Sequence, residues 1–307
     1  MFLEEELRSE YNKKYPRYLK LGNVLQQEIN EILSEKEIPF DYVQMRVKSF
    51  DSFLEKISRN ANWKSPMDEN NDFCGLRIIH LFEDDLKLIT KELNGRFHKA
   101  GEKNPTADRP KSEKEFTYRS YHMFLGLKDE LLDENSDLAG MNAEVQIRTI
   151  CMHSWAAIEH KLNYKTQFPQ SHRIKFNRKF SQVSAVLEMA DEVFVSLKND
   201  REQIVNNYKS TFNYEDKPNL ANLNVDSLQA YLETQFSTIQ RDGDRIANLL
   251  KEMLASKVTL THLEAGFKLL HKKGMIHRLQ SNYPGDNMSQ PGFARLVLDV
   301  SNDNFYS

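Results

Sequence analysis

The amino-acid sequence predicts an α+β fold in which helices flank a mixed β-sheet and a helical C-terminal region follows. Three segments show the apolar runs or the polar–apolar alternation of β-strands, and they are 75–82, 118–127 and Ala143–Thr149. The segments around them place apolar residues at helical spacing. Strands mixed with helices and separated by loops of unequal length are typical of α+β domains.

The remaining elements follow from the same periodicity, taken in chain order. It predicts helices over 17–34, 49–57, 152–163 and 171–205, two or three short helices within 226–280, and a last strand or short helix at 293–300. We expect four parts: a helical segment, 1–40, that packs on the next part; an α+β domain with its trailing helix, 41–207; a linker, 208–224; and a helical extension, 225–307.

Composition excludes several classes of protein. The net charge of −3 provides no overall basic field for binding nucleic acid. Two cysteines, Cys74 and Cys151, are too few for a disulfide framework and fit small buried residues in a reducing compartment. The N-terminus lacks a signal-peptide pattern, and no window approaches the roughly 20 apolar residues of a membrane span. We therefore expect a cytoplasmic protein without a membrane partner.

The last predicted strand carries an unusual row of polar side chains. Glu144, Gln146 and Arg148 alternate with Val145 and Ile147, so the three polar residues share one face. Unpaired charges are costly to bury, which makes this face poor core material. It is better suited to the floor of a site for a charged ligand.

A second group of residues indicates a polyphosphate site. Arg46 and Lys48 are two apart in an extended stretch, and Ser52 and Lys56 share one side of the following helix. Cations so placed suit phosphate, although an isolated pair is more often solvated. Asp72 precedes a strand, where it either holds Mg²⁺ or is a turn residue.

The start of the second predicted strand suits a nucleobase. Tyr118, Ser120 and His122 share a face, so a stacking ring lies beside a hydrogen-bonding side chain. The alternative is an ordinary aromatic core position. His153 and His160 show no zinc-ligand pattern and are predicted to be structural.

Together these motifs indicate phosphoryl chemistry with two substrates. Two acids, Asp72 and Glu144, stand among six cations: Arg46, Lys48, Lys56, Arg77, Lys114 and Arg148. Phosphoryl transfer depends mainly on positioning and charge neutralisation, with Mg²⁺ as the bridge.

The motifs, in this order, resemble the RelA/SpoT alarmone synthetase domain over roughly residues 40–165, in the form found in small single-function synthetases. The most specific match is the sequence EVQIRT followed by WAAIEHKLNYK. The resemblance implies a nucleotidyltransferase-like fold and Mg²⁺-dependent transfer of pyrophosphate from ATP to the 3′-hydroxyl of GDP or GTP, which makes (p)ppGpp. No segment resembles the hydrolase domain of bifunctional relatives, so we expect no degradation of the product.

The resemblance also implies roles for the residues that match its motifs. Catalysis and metal binding would fall to Asp72 and Glu144, the latter sharing the metal or activating the hydroxyl. ATP would be bound by Arg46 and Arg77 at the adenine, and by Lys48, Ser52 and Lys56 at the phosphates. The acceptor nucleotide would be bound by Lys114, Tyr118, His122, Gln146 and Arg148.

The identity of the acceptor stays open at this point. Phe116 and Thr117 occupy positions where the family usually has Asn and Gly. Some relatives are toxins that pyrophosphorylate the 3′ end of tRNA, and two basic clusters are relevant to that alternative: Lys13, Lys14, Arg17 and Lys20, then Arg173, Lys175, Arg178 and Lys179. A non-catalytic nucleotide sensor is disfavoured because both acids are present. The C-terminal helices would pack on the α+β domain or on a second subunit of a homo-oligomer.

Overall fold

A computed structural model describes residues 4–60, 62–70, 72–103, 120–163, 170–212, 223–237, 239, 241–276 and 288–305. Contacts divide the chain into two compact units, Met1–Ser196 and Leu197–Ser307. The first holds a five-stranded sheet with helices, and the second is helical where it is described. The predicted α+β fold is confirmed.

The sheet of the first unit is mixed. Its strands, in chain order, are β1 Phe40–Val47, β2 Cys74–His80, β3 His98–Lys103, β4 Tyr121–Gly126 and β5 Ala143–Thr149. Their order in space is β1-β2-β5-β4-β3, with β2 and β5 parallel and the other pairs antiparallel. The strands β1 and β3 were not predicted, and both lie at the edges of the sheet.

One face of the sheet forms the core against the first helix, α1, Glu4–Glu35. Leu21, Leu25 and Ile29 of α1 are fully buried against the apolar face of the strands. Gly22 permits this close approach, because a Cβ there would lie 2.6 Å from the Met45 side chain and 2.9 Å from Cys74 Sγ. With α1 on this face, the polar residues of the strands are directed to the opposite one.

The helix α1 begins thirteen residues before the predicted start at residue 17, and Pro16 lies inside it. Its extra turns are stabilised by tertiary contacts, since Leu7 and Tyr11 pack with Phe53 and Phe73 in a separate apolar cluster. Tyr11 also donates a hydrogen bond from its hydroxyl to the Lys48 carbonyl at 2.8 Å. The N-terminal turns therefore support the segment that enters the phosphate-binding motif.

Three further helices of the first unit lie near their predicted positions: α2 Phe50–Arg59, α6 Ile150–Asn163 and α7 Gln170–Phe212, which continues into the second unit. Three others were not predicted: α3 Pro66–Glu69, α4 Leu86–Arg96 and α5 Asp129–Leu132. Ser49 caps α2, accepting a 3.3 Å hydrogen bond from the Ser52 amide. Among the described residues, no helix is long and apolar enough to cross a membrane, and the cytoplasmic location stays a prediction.

The second unit has its own apolar core. Its further helices are α8 Val225–Gln235, α9 Gly243–Ala255, α10 Leu260–Lys272 and α11 Gln290–Ser301. Tyr231 of α8 and Phe293 of α11 are almost completely buried in this core. The segment left open between strand and helix at 293–300 is therefore helical. Of the predicted linker, residues 208–212 are helical, and 213–222 lie outside the described residues.

Candidate functional site

The polar face of the sheet gathers most of the predicted site residues. Register places Arg46 opposite Gly75 and Gly75 opposite Glu144, while Arg77 lies opposite Gln146. These neighbours surround a cavity of about 300 Å³, the first cavity, which is lined by Gln44, Arg46, Lys48, Ser52, Asp72, Gly75, Leu76, Arg77, Glu144 and Gln146. Sequence segments far apart in the chain thus meet at one place.

Asp72 lines the first cavity and lies between two lysines. The Lys48 ammonium donates to both Asp72 oxygens at 2.7 Å, and the Lys56 ammonium lies 2.8 Å from Asp72 Oδ1. Burial alone would raise the pKa of Asp72, but hydrogen bonds and positive charge from the two lysines outweigh it and lower the pKa. Asp72 is therefore an ionised, partly buried carboxylate.

The polar residues of β5 form a continuous hydrogen-bonded row. Arg148 donates to Gln146 Oε1 at 2.7 Å, and Gln146 Nε2 donates to Glu144 Oε2 at 3.1 Å. Arg77 of β2 also donates to Gln146 Oε1, at 3.4 Å. The face that is too polar for a core is thus hydrogen-bonded along its length by its own side chains, although Arg148 Nε is buried without a hydrogen-bond partner among the described residues.

Glu144 receives a further contact from the next strand. His122 Nδ1 lies 2.9 Å from Glu144 Oε1, and His122 Nε2 lies 2.6 Å from Ser120 Oγ. Burial and the charge of Asp72 act to raise the pKa of Glu144, but His122 and Gln146 outweigh them and lower it. The site therefore holds two ionised carboxylates, and the charge of Asp72 acts on the titration of Glu144.

A second cavity, of about 710 Å³, adjoins the first. Arg46 and Arg77 line both, and the second is completed by Arg148, His153, Ala156, Ala157, Glu159, His160 and Lys161. The two alanines present short side chains where α6 faces the arginines. Burial, together with the charge of Arg77, lowers the pKa of Arg148 to about 10.

His153 and His160 were predicted to be structural, yet both line the second cavity. His153 Nε2 lies 3.1 Å from the Tyr42 hydroxyl, and burial, with the charges of Arg148 and Arg77, lowers its pKa. Their spacing of seven residues did place them on similar sides of one helix. Nothing in the sequence indicates, however, that this side faces the two arginines.

The structure brings ten of the twelve predicted residues together. Arg46, Lys48, Ser52, Asp72, Arg77, Glu144 and Gln146 line the first cavity, Arg148 lines the second, and Lys56 and His122 contact the two acids. Lys114 and Tyr118 lie outside the described residues. Sequence reasoning missed Gln44, Tyr42 and the buried Asn70, which accepts a 2.8 Å hydrogen bond from Lys56.

The donor set of the first cavity fits a magnesium ion that arrives with a nucleotide. Among the described residues, no group of three or more His, Cys, Asp or Glu side chains could hold a metal. Asp72 and Glu144 nevertheless line one cavity, with cations at its edge. Mg²⁺ is commonly bound by one or two carboxylates together with substrate phosphates, rather than by a complete protein cage.

Known proteins are similar in sequence and in fold to the part of the chain that contains this site. The region found in RelA and SpoT proteins matches residues 45–168. GTP pyrophosphokinase YjbM of Bacillus subtilis (strain 168) is 31% identical over 159 residues, which is 50% of this chain and 72% of that protein.

Two solved structures extend the comparison to the fold. A GTP pyrophosphokinase family protein from Streptococcus pneumoniae is 26% identical with a TM-score of 0.52, covering 64% of this chain and 96% of that one. The small alarmone synthetase 1 from Bacillus subtilis, bound to its product pppGpp, is 27% identical with a TM-score of 0.53, covering 62% and 98%. The sequence motifs, the sheet that unites them and these relatives agree, and the chain belongs to the RelA/SpoT family.

Proposed function

We propose that this protein transfers pyrophosphate from ATP to the 3′-hydroxyl of GDP or GTP and so makes (p)ppGpp. The observation that carries the proposal is the meeting of Asp72 and Glu144 in one cavity edged by Arg46, Lys48 and Arg77. Transfer of a highly charged group needs acids for a metal and cations for phosphate oxygens. The likeness to GTP pyrophosphokinase YjbM supports the same reaction.

The two adjoining cavities suit ATP as the donor. Arg46 and Arg77 line both, so their guanidinium planes are available to the adenine ring. Ser52 and Lys48 line the first cavity and Lys56 lies at Asp72, where they would bind the phosphates. The donor would thus extend from the second cavity, with its base, into the first, with its phosphates.

Asp72 and Glu144 would hold Mg²⁺ in the first cavity. The bound ion would neutralise charge on the phosphates during transfer. Glu144, kept ionised by His122 and Gln146, would accept the proton of the acceptor's 3′-hydroxyl. The hydroxyl oxygen then bonds to the β-phosphorus of ATP, the bond from that phosphorus to the α–β bridging oxygen breaks, and AMP leaves.

The acceptor nucleotide would approach from the β4 side of Glu144. His122, Gln146 and Arg148 already form one hydrogen-bonded row with Glu144, and they would orient the hydroxyl and the phosphates of the acceptor. Lys114 and Tyr118, predicted to bind the phosphates and stack on the guanine, stay predictions from the sequence.

The 3′ end of tRNA is the second candidate acceptor. One observation favours it: Lys175, Arg178 and Lys179 are exposed on α7, where they could meet a phosphate backbone. The other basic cluster, which contains Arg17 and Lys20, is less available to a phosphate backbone because these two side chains already have partners in the protein. Arg17 donates to the Asp137 carbonyl, and Lys20 pairs with the Asp137 carboxylate at 2.6 Å.

A transfer assay with the full chain tests the proposal. Purified protein is incubated with γ-labelled ATP and Mg²⁺, with GDP, GTP or deacylated tRNA as acceptor. We expect labelled guanosine tetra- or pentaphosphate, loss of transfer on chelation with EDTA, and recovery when Mg²⁺ is restored. Labelled tRNA would instead support the second acceptor. Nucleotide binding without transfer to any acceptor would contradict both and indicate a sensor.

A further inference from the structure

The Lys56 ammonium is held by side chains from the segment that follows its own helix. Asn70 Oδ1 accepts a hydrogen bond from it at 2.8 Å, and Asp72 Oδ1 lies at the same distance. The ammonium also lies 5.5 Å from the centre of the Trp63 ring. Two oxygens and an aromatic face thus determine where this cation lies.

The segment that supplies these contacts is itself fixed. Asn60 donates from Nδ2 to the Lys56 carbonyl at 2.8 Å. Glu69 Oε1 accepts from the amides of Lys64 and Ser65 at 2.6 and 2.7 Å. Asn70 is only 3% exposed, so its amide group has little freedom to move. The hydrogen-bond acceptor offered to Lys56 is therefore rigidly placed.

Lys48 is held differently. Within the described ranges, its ammonium donates only to the two oxygens of Asp72. If Asp72 turns to a metal ion, Lys48 loses its partner, whereas Lys56 keeps Asn70. The two lysines therefore differ in what fixes them once substrate binds.

We infer that Asn70 is a positioning residue that keeps the Lys56 ammonium directed at the ATP phosphates when Asp72 is engaged elsewhere. The inference rests on the proposed function, because it takes ATP as the ligand of the first cavity. Lys56 is the fixed phosphate contact, and Lys48 is the one that moves from Asp72 to phosphate. A hydrogen bond to a charged donor contributes more than a neutral one, so its loss is measurable.

Calorimetric titration with Mg²⁺ and an ATP analogue that carries a methylene group between its α- and β-phosphorus tests the inference without any transfer step. Asn70→Ala should weaken binding roughly tenfold, as expected for one charge-assisted hydrogen bond. In a Lys56→Met background the same change should have no further effect. In a Lys48→Met background it should again cost about tenfold. An equal effect of Asn70→Ala in all three backgrounds would overturn the inference.

Two further variants separate positioning from folding. Ser58→Ala is the matched control, since the exposed Ser58 hydroxyl donates to the Glu55 carbonyl within α2 itself, at 2.8 Å, and it should leave analogue binding unchanged. Asn70→Leu keeps the branched shape of the side chain and removes the Nδ2 atom that has no hydrogen-bond partner among the described residues, so it should fold even where Asn70→Ala does not. It should also bind about tenfold more weakly.

The outcomes distinguish this inference from the proposed function. If wild-type protein binds the analogue and folded Asn70→Leu binds it equally well, the role of Asn70 is wrong and the proposed function stands. If wild-type protein does not bind the analogue, ATP is not the ligand and both are wrong.

Discussion

His122 Nδ1 and Glu144 Oε1 lie 2.9 Å apart across two neighbouring antiparallel strands. This contact links the acceptor side of the site to the carboxylate proposed as the base. It also gives the acid limb of the pH–rate profile a physical origin, since it is one of the interactions that lower the pKa of Glu144.

We expect His122→Phe to move that acid limb to higher pH. In wild-type protein the pKa of Glu144 lies below its ordinary value of 4.5, so the ionised form persists well into acid. Without His122, its hydrogen bond and charge no longer lower the pKa, while burial and the charge of Asp72 still act to raise it. Profiles of kcat/KM against pH for the two proteins would reveal the shift. Superimposable acid limbs would show that Glu144 is not the titrating base.

Asp72→Asn should destabilise the first unit as well as abolish transfer. At neutral pH it leaves Lys48 and Lys56 without their shared carboxylate, at a cost of about 1–3 kcal/mol in the free energy of unfolding. Urea denaturation followed by the fluorescence of Trp63 and Trp155, the two tryptophans of the chain, reports on this unit. Adding Lys48→Met should restore part of the loss, because it removes one of the two opposed cations.

The difference in the free energy of unfolding between wild type and Asp72→Asn should depend on pH in a defined direction. The pKa of Asp72 in the folded protein lies below its ordinary value of 3.8, so the ionised group adds stability above pH 3.8 that is lost as the pH falls through the folded pKa. The difference between wild type and Asp72→Asn should therefore shrink in acid. A difference that stays constant down to the acid transition would argue against the lysine contacts as its source.

Arg46→Ala and Arg77→Ala should each raise the KM for ATP roughly five- to thirtyfold, the range expected for loss of a cation–π contact to a base. The KM for GDP should change much less, because the guanidinium groups of both arginines are assigned to the adenine ring of the donor. Arg96→Ala is a suitable control, since Arg96 pairs with Glu28 outside both cavities at 2.7 Å. Equal effects on both substrates would contradict the assignment of donor and acceptor sides.

Gly75→Ala should separate the shape of the site from the stability of the fold. A Cβ at Gly75 would lie 3.9 Å from the carbonyl oxygens of Arg46 and Glu144, which is ordinary contact. The strand should therefore tolerate it, with an unchanged melting temperature. The methyl group would enter the first cavity and displace the reacting groups, so kcat/KM should fall at least about tenfold. A marked fall in melting temperature would mean that glycine is required at position 75 for the stability of the strand, and not for the shape of the cavity.

The strands that could be predicted from the sequence are those whose buried side chains produce an apolar run or a polar–apolar alternation. β2 and β5 carry buried apolar residues at alternate positions along most of their length, and both were found. β3 has no buried residue in His98–Lys103, so its place in the sheet depends on backbone pairing with β4, which leaves no periodic signal. β1 lies at the other edge, where only Val43 is buried.

The site residues divide in the same way: those marked by a local sequence pattern could be predicted, and those that depend on tertiary contacts could not. Asp72 and Glu144 could be singled out because each stands at a strand among cations. Asn70 could not, since its role depends on a bond to Lys56 that exists only after the chain turns back on itself. The part played by His153 likewise depends on how α6 lies over the sheet, which periodicity does not specify.

The two lysines on Asp72 also bear on the order in which ligands arrive. Both Asp72 oxygens already accept from Lys48, and one lies close to Lys56, so a free divalent ion meets a carboxylate whose charge is largely compensated. A nucleotide offers the lysines phosphate oxygens in exchange. Metal and nucleotide are therefore expected to enter as one complex, and the empty protein is expected to discriminate against metal ions on their own.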